Sequence, residues 1–204
     1  MKRYTIAKVE TPFVEWEKIE KLEIDTYKWV DNGYEPKVYA ALCYDENAIY
    51  VRFWTYEKEV RGVHKLHGEM VCEDSCVELF MHPKSDPRYL NFEVNVLGAM
   101  LLAIGTSRYD RKVFPVDSSF GIESSVSDAE TYCDSMWTVG YKIPFSFLRS
   151  VYGEIDIIKE GLRANFYKCG EKTAMEHYGV WNQNLSPTPE FHAPQYFGEM
   201  IFEQ

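Results

Sequence analysis

Two alternating segments would bring a pair of carboxylates face to face. In Ser75-Cys76-Val77-Glu78-Leu79-Phe80-Met81 the apolar set is Val77, Leu79 and Met81, which turns Cys76, Glu78 and Phe80 the other way. In Leu90-Asn91-Phe92-Glu93-Val94-Asn95-Val96 the polar set is Asn91, Glu93 and Asn95. Antiparallel pairing that keeps the apolar faces together sets Val77 near Val94, Leu79 near Phe92 and Glu78 opposite Glu93. Directly opposed carboxylates repel, so a donor or cation is expected between them. Leu162-Arg163-Ala164-Asn165-Phe166-Tyr167 offers one, with Arg163, Asn165 and Tyr167 as its polar set. A face of carboxylate, amide and guanidinium groups suits in-plane hydrogen bonding to vicinal hydroxyls. The same pair, with Cβ atoms about 4.5–5.5 Å apart, is near the carboxyl spacing of a retaining glycosidase.

The elements that must position these groups read as strands. His82 to Tyr89 is rich in turn formers and closes the first two segments into a hairpin. Lys37 to Tyr44 and Ala48 to Tyr56 form a second hairpin around Asp45-Glu46-Asn47, in which Ile49, Val51 and Phe53 line the core and Trp54 faces away from it. Tyr4 to Ala7 is a short strand broken by Pro12; Trp16 to Ile24 is a polar edge strand or irregular segment, and Tyr27 to Pro36 a loop. Glu57 to Glu73 is a charged loop. Beyond a bend at Gly98, Ala99 to Gly105 is a buried strand, and Ser107 to Ser119 a basic loop. Phe120 to Val126 and Trp137 to Ile143 pair through an acidic loop at Asp134, with Trp137 in the core; Pro144 to Leu148 is one helical turn. Lys159 to Lys168 carries Arg163, and Phe197 to Glu203 closes the sheet.

Short strands between turn signals, with no long 3.6-residue period, predict an all-β fold, an antiparallel β-sandwich of the immunoglobulin or jelly-roll kind, in a single domain over residues 1–204. Cys169 to Tyr196 is a long, irregular segment, and loops of that length tend to be functional. It holds Trp181-Asn182-Gln183-Asn184 before Pro187, Pro189 and Pro194. Trp181 is expected to be a partly exposed stacking platform with amide neighbours; the alternative is a tryptophan that plugs the end of the sandwich.

A net charge of −10 argues against nucleic acid as partner. No apolar run reaches the roughly 20 residues of a membrane helix. Cys43, Cys72, Cys76, Cys133 and Cys169 are odd in number with no CxxC pair, and no apolar leader follows Met1; reduced thiols and a cytoplasmic location are the expectation, with Cys43 and Cys169 as small core residues. His64-x-x-His67 with Glu69 lacks the i, i+4 spacing of a zinc helix, so no metal is expected there.

Glu73-Asp74-Ser75-Cys76-Val77-Glu78-Leu79-Phe80, Asn91-Phe92-Glu93-Val94-Asn95, Arg163-Ala164-Asn165-Phe166-Tyr167 and the end from Trp181 to Phe202 together resemble the family 9 carbohydrate-binding modules, in the family 9-like branch. The resemblance implies a β-sandwich related to DOMON domains and sugar binding without catalysis. It also implies two tryptophan walls around the sugar, with carboxylate, arginine and amide side chains on its hydroxyls. Trp181 matches one wall and Glu78 the acidic position. The approach to Asp74, Met70-Val71-Cys72-Glu73, has no tryptophan, so Trp54 is the candidate second wall; of the expected arginine-x-asparagine pair only Asn95 carries over. The expected ligand-binding set is Glu78, Asn91, Glu93, Asn95, Arg163, Asn165, Trp181, Asn182 and Trp54. Members often carry calcium, but no Asp/Asn cluster here marks a site, and no cofactor is expected.

Three other readings compete. Glu78, Glu93 and Arg163 could form a purely structural ion-pair network. Glu78 and Glu93 could serve a glycosidase. A haem-binding DOMON protein would need axial ligands such as His64, Met70 or Met175, none specified by spacing.

Overall fold

A computed structural model describes residues 1–10, 14–128 and 135–204; Pro12, Cys133 and Asp134 lie outside the described residues. The strands are β1 (Arg3–Lys8), β2 (Leu22–Ile24), β3 (Thr26–Tyr27), β4 (Lys37–Tyr44), β5 (Ala48–Glu57), β6 (Cys76–Pro83), β7 (Tyr89–Asn95), β8 (Met100–Gly105), β9 (Lys112–Val113), β10 (Glu123–Asp128), β11 (Ser135–Pro144), β12 (Leu162–Gly170), β13 (His177–Val180) and β14 (Gly198–Phe202). Two short helices, α1 (Phe145–Tyr152) and α2 (Ile157–Glu160), separate β11 from β12.

The all-β character agrees with the alternation in the sequence, but the expected sandwich of two separate sheets is replaced by one curled sheet, a half-barrel. Its strands run β10-β11-β5-β4-β1-β14-β12-β6-β7-β8-β9. The continuity comes from β1, which pairs in parallel with β14 through Arg3 to Ile6 and then with β4 through Ala7 and Lys8. The two wings face each other across the core. Ring pairs join them: Tyr44 with Phe202 at 5.0 Å, Phe53 with Phe166 at 6.1 Å and Phe92 with Tyr141 at 5.8 Å. Trp137 is fully buried among them, as its strand parity predicts.

The β6–β7 hairpin has the register read from its alternation, with Val77 opposite Val94, Glu78 opposite Glu93 and Leu79 opposite Phe92. Its β7–β8 turn needs Gly98, whose φ is 81°. Asn95 builds that turn, its Oδ1 accepting from the Leu97 and Ala99 N–H groups at 3.1 and 3.0 Å.

Besides the two-residue strand β9 inside the expected loop from Ser107 to Ser119 and the 3-10 turn at Ser118–Phe120 where a strand was expected to start, three segments differ from expectation. The helical turn after Pro144 continues to Tyr152, because Phe145, Leu148 and Tyr152 fall on one side and bury together. The residues before Leu162 are helical, in α2, with the Asp156 carboxylate accepting from the Lys159 N–H at 3.1 Å. Within the long segment after Cys169, His177–Val180 forms β13 against β12. That strand was hidden because Gly179 interrupts a four-residue run.

Core parity on β12 continues from Ala164 and Phe166 to Lys168, and on β5 from Phe53 and Thr55 to Glu57. Both charges are fully buried, and Lys168 Nζ lies 3.1 Å from Glu57 Oε1. Glu57 also accepts from Trp137 Nε1 at 2.5 Å and from Ser75 Oγ at 3.2 Å. Each buried charge thus has partners, as burial requires.

Candidate functional site

The faces of β12, β6, β7 and β8 that turn away from the core carry one row of side chains: Tyr167, Glu78, Glu93 and Leu101. A second apolar layer covers most of that face. It comprises Val71, Phe80, Tyr89, Phe191 and Phe197 among others, with Trp29 and Tyr178 packed against it. Phe191 lies on Tyr167 with ring centroids 4.1 Å apart and planes at 14°. A cavity of about 390 Å³ remains open in this cover, above the carboxylate pair. Met70, Cys72, Leu101, Tyr178, Phe191 and His192 line it together with Glu78, Glu93, Glu171, Arg108 and Arg111.

Glu78 is 2% exposed and Glu93 5%. Glu93 accepts from Asn91 Nδ2 at 2.8 Å and from Arg111 Nη1 at 3.3 Å. Its pKa is nevertheless pushed up to about 7, because burial outweighs Arg111 and Asn91. Glu78 receives no hydrogen bond from any described residue. Burial first, and Glu93 beside it second, hold its carboxyl well above the usual range. His192 is driven the other way, down to about 3, by burial and then by Arg111 and Arg108. It shares a 2.8 Å hydrogen bond with the Tyr89 hydroxyl.

The arginine of this site is therefore Arg111, and the expectation of Arg163 is corrected. Arg163 shares the outward face but stands opposite His82, four residues along β12 from Tyr167, or roughly 13 Å at a strand's rise. Its guanidinium meets Met1 Sδ and the Phe197 carbonyl, the latter at 3.3 Å. Arg111 comes from the loop between β8 and β9. Asp110 ties that loop, accepting from the N–H groups of Thr106 and Ser107 at 3.0 and 2.8 Å.

Trp181 is corrected too. It is 3% exposed and belongs to the main core, its ring edge-on to Phe166 at 5.6 Å. The reason is parity: the Trp181 N–H bonds to the Phe166 carbonyl at 2.9 Å, so β13 delivers Trp181 to the face that Phe166 occupies. Trp54 stays outside the core, but on the other wing, against Trp16 at 6.0 Å and beneath Lys21. It does not border the cavity.

Three amides are structural. Asn95 donates to Asp74 Oδ2 at 2.9 Å and to the His64 carbonyl at 2.8 Å. Asn165 donates to the Asn182 carbonyl at 3.0 Å and accepts from the Asn182 N–H at 2.8 Å. The Asn182 side chain joins the Lys2 N–H to the Tyr196 carbonyl. Of the expected set, Glu78 and Glu93 line the cavity and Asn91 orients Glu93 from below. Residue-by-residue reading missed Tyr178, Phe191 and His192, although they lie in the segment its length had marked; the basic loop likewise contained Arg108 and Arg111.

Among the described residues no group of three or more His, Cys, Asp or Glu is placed to hold a metal ion. His64 instead meets Glu73 at 3.1 Å, and His67 Nδ1 accepts from the Met100 N–H at 3.1 Å. No helix among the described residues is long and apolar enough to cross a membrane.

The model of carbohydrate-binding family 9 matches residues 9–202. Among solved structures, the chain is similar to a protein from Bacteroides uniformis ATCC 8492 described as a putative carbohydrate-binding protein, at 27% identity and a TM-score of 0.84, covering 99% of each chain. It shares its fold with a family 9 carbohydrate-binding module from Caldicellulosiruptor kristjanssonii solved with glucose, at 15% identity and a TM-score of 0.64, covering 99% of this chain and 96% of that one. The same holds for a structure of such a module from that organism with cellotriose, at 14% identity and a TM-score of 0.64, covering 99% and 94%. No curated protein matches.

Proposed function

The chain belongs to carbohydrate-binding family 9, and we propose that the cavity above Glu78 and Glu93 is its sugar site, holding a small sugar or the end of a glycan without catalysis. The observation that carries this reading is Glu78: a carboxyl 2% exposed that borders the cavity and receives no hydrogen bond from the described protein. Buried polar groups are as a rule paired, so a partner from outside is the natural complement. Sugar hydroxyls can donate to Glu78 and Glu93 and accept from Arg111. Tyr178 and Phe191 offer the apolar surface that C–H faces of a sugar need, in place of the tryptophan walls the resemblance implies. The volume is within the usual range for small-molecule sites.

Binding is favoured over hydrolysis by the placement of the two carboxyls. They stand side by side on one floor, whereas acid and nucleophile must flank a glycosidic bond. Both are also raised, and a nucleophile needs its carboxylate ionised.

Isothermal titration of the full chain with glucose, cellotriose and a wider panel of mono- and oligosaccharides tests the reading. Glu78→Ala and Tyr178→Ala should each weaken binding about tenfold or more with an unchanged fold. Absence of binding across the panel, or undiminished binding by Glu78→Ala, would sink it.

A further inference from the structure

We propose that the ligand of this cavity carries a positively charged amine, so that the site selects amino sugars over their neutral counterparts. The inference rests on the sugar-site reading and adds charge to it. Five charged side chains line the cavity: Glu78, Glu93, Glu171, Arg108 and Arg111. Each arginine already has a carboxylate partner. Arg111 Nη1 meets Glu93 Oε1 at 3.3 Å, and Arg108 Nη2 meets Glu190 Oε1 at 3.2 Å. The two side chains left without an ion pair among the described residues are carboxylates, Glu78 on the floor and Glu171 at the rim.

The neighbouring donors on β7 and β12 are turned elsewhere. The Tyr167 hydroxyl, next in the row, donates to the Phe191 carbonyl at 3.0 Å. Lys168 is on the core side of β12 with Glu57 at 3.1 Å. Asn91 Nδ2 is given to Glu93 at 2.8 Å. Cys72, Cys76 and Cys169 surround the floor as thiols, weak donors that burial keeps protonated. A neutral ligand would leave two opposed carboxyls to share one arginine. An ammonium group supplies three donors and the missing charge at once, and the Tyr178 and Phe191 rings beside it attract a cation further.

Proton release gives the inference its own signature. The groups acting on Glu78 are Glu93 and Glu171, which hold its proton on, and Arg111 and Lys168, which oppose them. An ammonium placed against Glu78 favours the ionised form more strongly than a sugar hydroxyl does, so an amino sugar expels more proton on binding than its neutral parent.

The experiment is calorimetric titration of the full chain near neutral pH, in two buffers of different ionisation enthalpy. Glucosamine, galactosamine and mannosamine are compared with their neutral parents, their N-acetyl derivatives and methylammonium. At least one amino sugar should bind about tenfold or more tightly than both its parent and its N-acetyl form, with greater proton release. Glu78→Gln should abolish that preference; Glu171→Gln, at the exposed rim, should reduce it and serves as the second variant if the first does not fold. Equal affinity for amino and parent sugars would overturn the charge inference and leave the sugar site standing. Methylammonium binding as tightly as any amino sugar would remove the sugar from both readings. Binding by no member of the panel would overturn both.

Discussion

At the scale of single residues, the carboxyl pair sets how stability depends on pH. Burial raises Glu93 from 4.5 to about 7, and burial with Glu93 beside it raises Glu78 further in the same direction. The folded state then binds more protons than the unfolded one, so this contribution is fully present below the unfolded value and is lost as pH rises through the folded values. His177 and His192 act oppositely. Burial lowers them from 6.5 to about 2 and about 3, and their cost is felt only below about pH 6.5. Above that point the carboxyls act alone among these four groups. Thermal melts should therefore show Tm falling from about pH 6.5 to about pH 8, and Glu78→Gln should flatten the fall and raise Tm at the upper end. A flat wild-type profile would contradict this. The two strand cations separate in the same way. Lys168→Met strands a buried Glu57 and should cost about 3–5 kcal/mol, while Arg163→Leu, half exposed and unpaired with carboxylate, should cost under about 1 kcal/mol in urea denaturation.

At the scale of elements, β13 is the short strand on which the site depends. Its pairing with β12 places Tyr178 on the cavity side and, one residue past its end, sends Trp181 into the core. Gly198 on β14 makes room for that ring: a Cβ there would stand 2.5 Å from Trp181 Cζ3. Trp181→Ala should thus cost about 3–5 kcal/mol as a core cavity, and Gly198→Ala about 1–3 kcal/mol by overpacking. Both are read by chemical denaturation. Binding per folded molecule should survive in each, since neither residue borders the cavity. Loss of binding in folded Trp181→Ala would return that tryptophan to the site.

For the whole molecule, the join between the wings is the point of leverage. Where β1 leaves β14 for β4, the Tyr4 side chain stands in for missing ladder bonds: its hydroxyl donates to the Glu20 carbonyl at 2.6 Å, accepts from the Leu42 N–H at 3.0 Å and lies 3.3 Å from the Leu42 carbonyl. Removing it leaves buried backbone groups unpaired. Tyr4→Phe should cost about 1–3 kcal/mol although it deletes one oxygen. Amide exchange should quicken first at Leu42 and in its β4 neighbours; protection unchanged there would mean that β1 is not what couples the wings.

Whatever follows from a period of two beside a buried face can be read from the chain alone. The Glu78–Glu93 pairing was legible because slipping the hairpin by one residue would expose Val77, Leu79, Phe92 and Val94 together. The buried Glu57–Lys168 pair follows the same rule, as charges of opposite sign on the apolar parity of two strands. Tertiary structure alone decided the rest. Arg111 reaches Glu93 by the path of a loop, and loop paths leave no periodic trace. Trp181 changed role because a four-residue strand containing glycine gives too little pattern to fix parity. The half-barrel follows from β1 dividing its pairing between β14 and β4, a long-range choice that its own six residues do not encode.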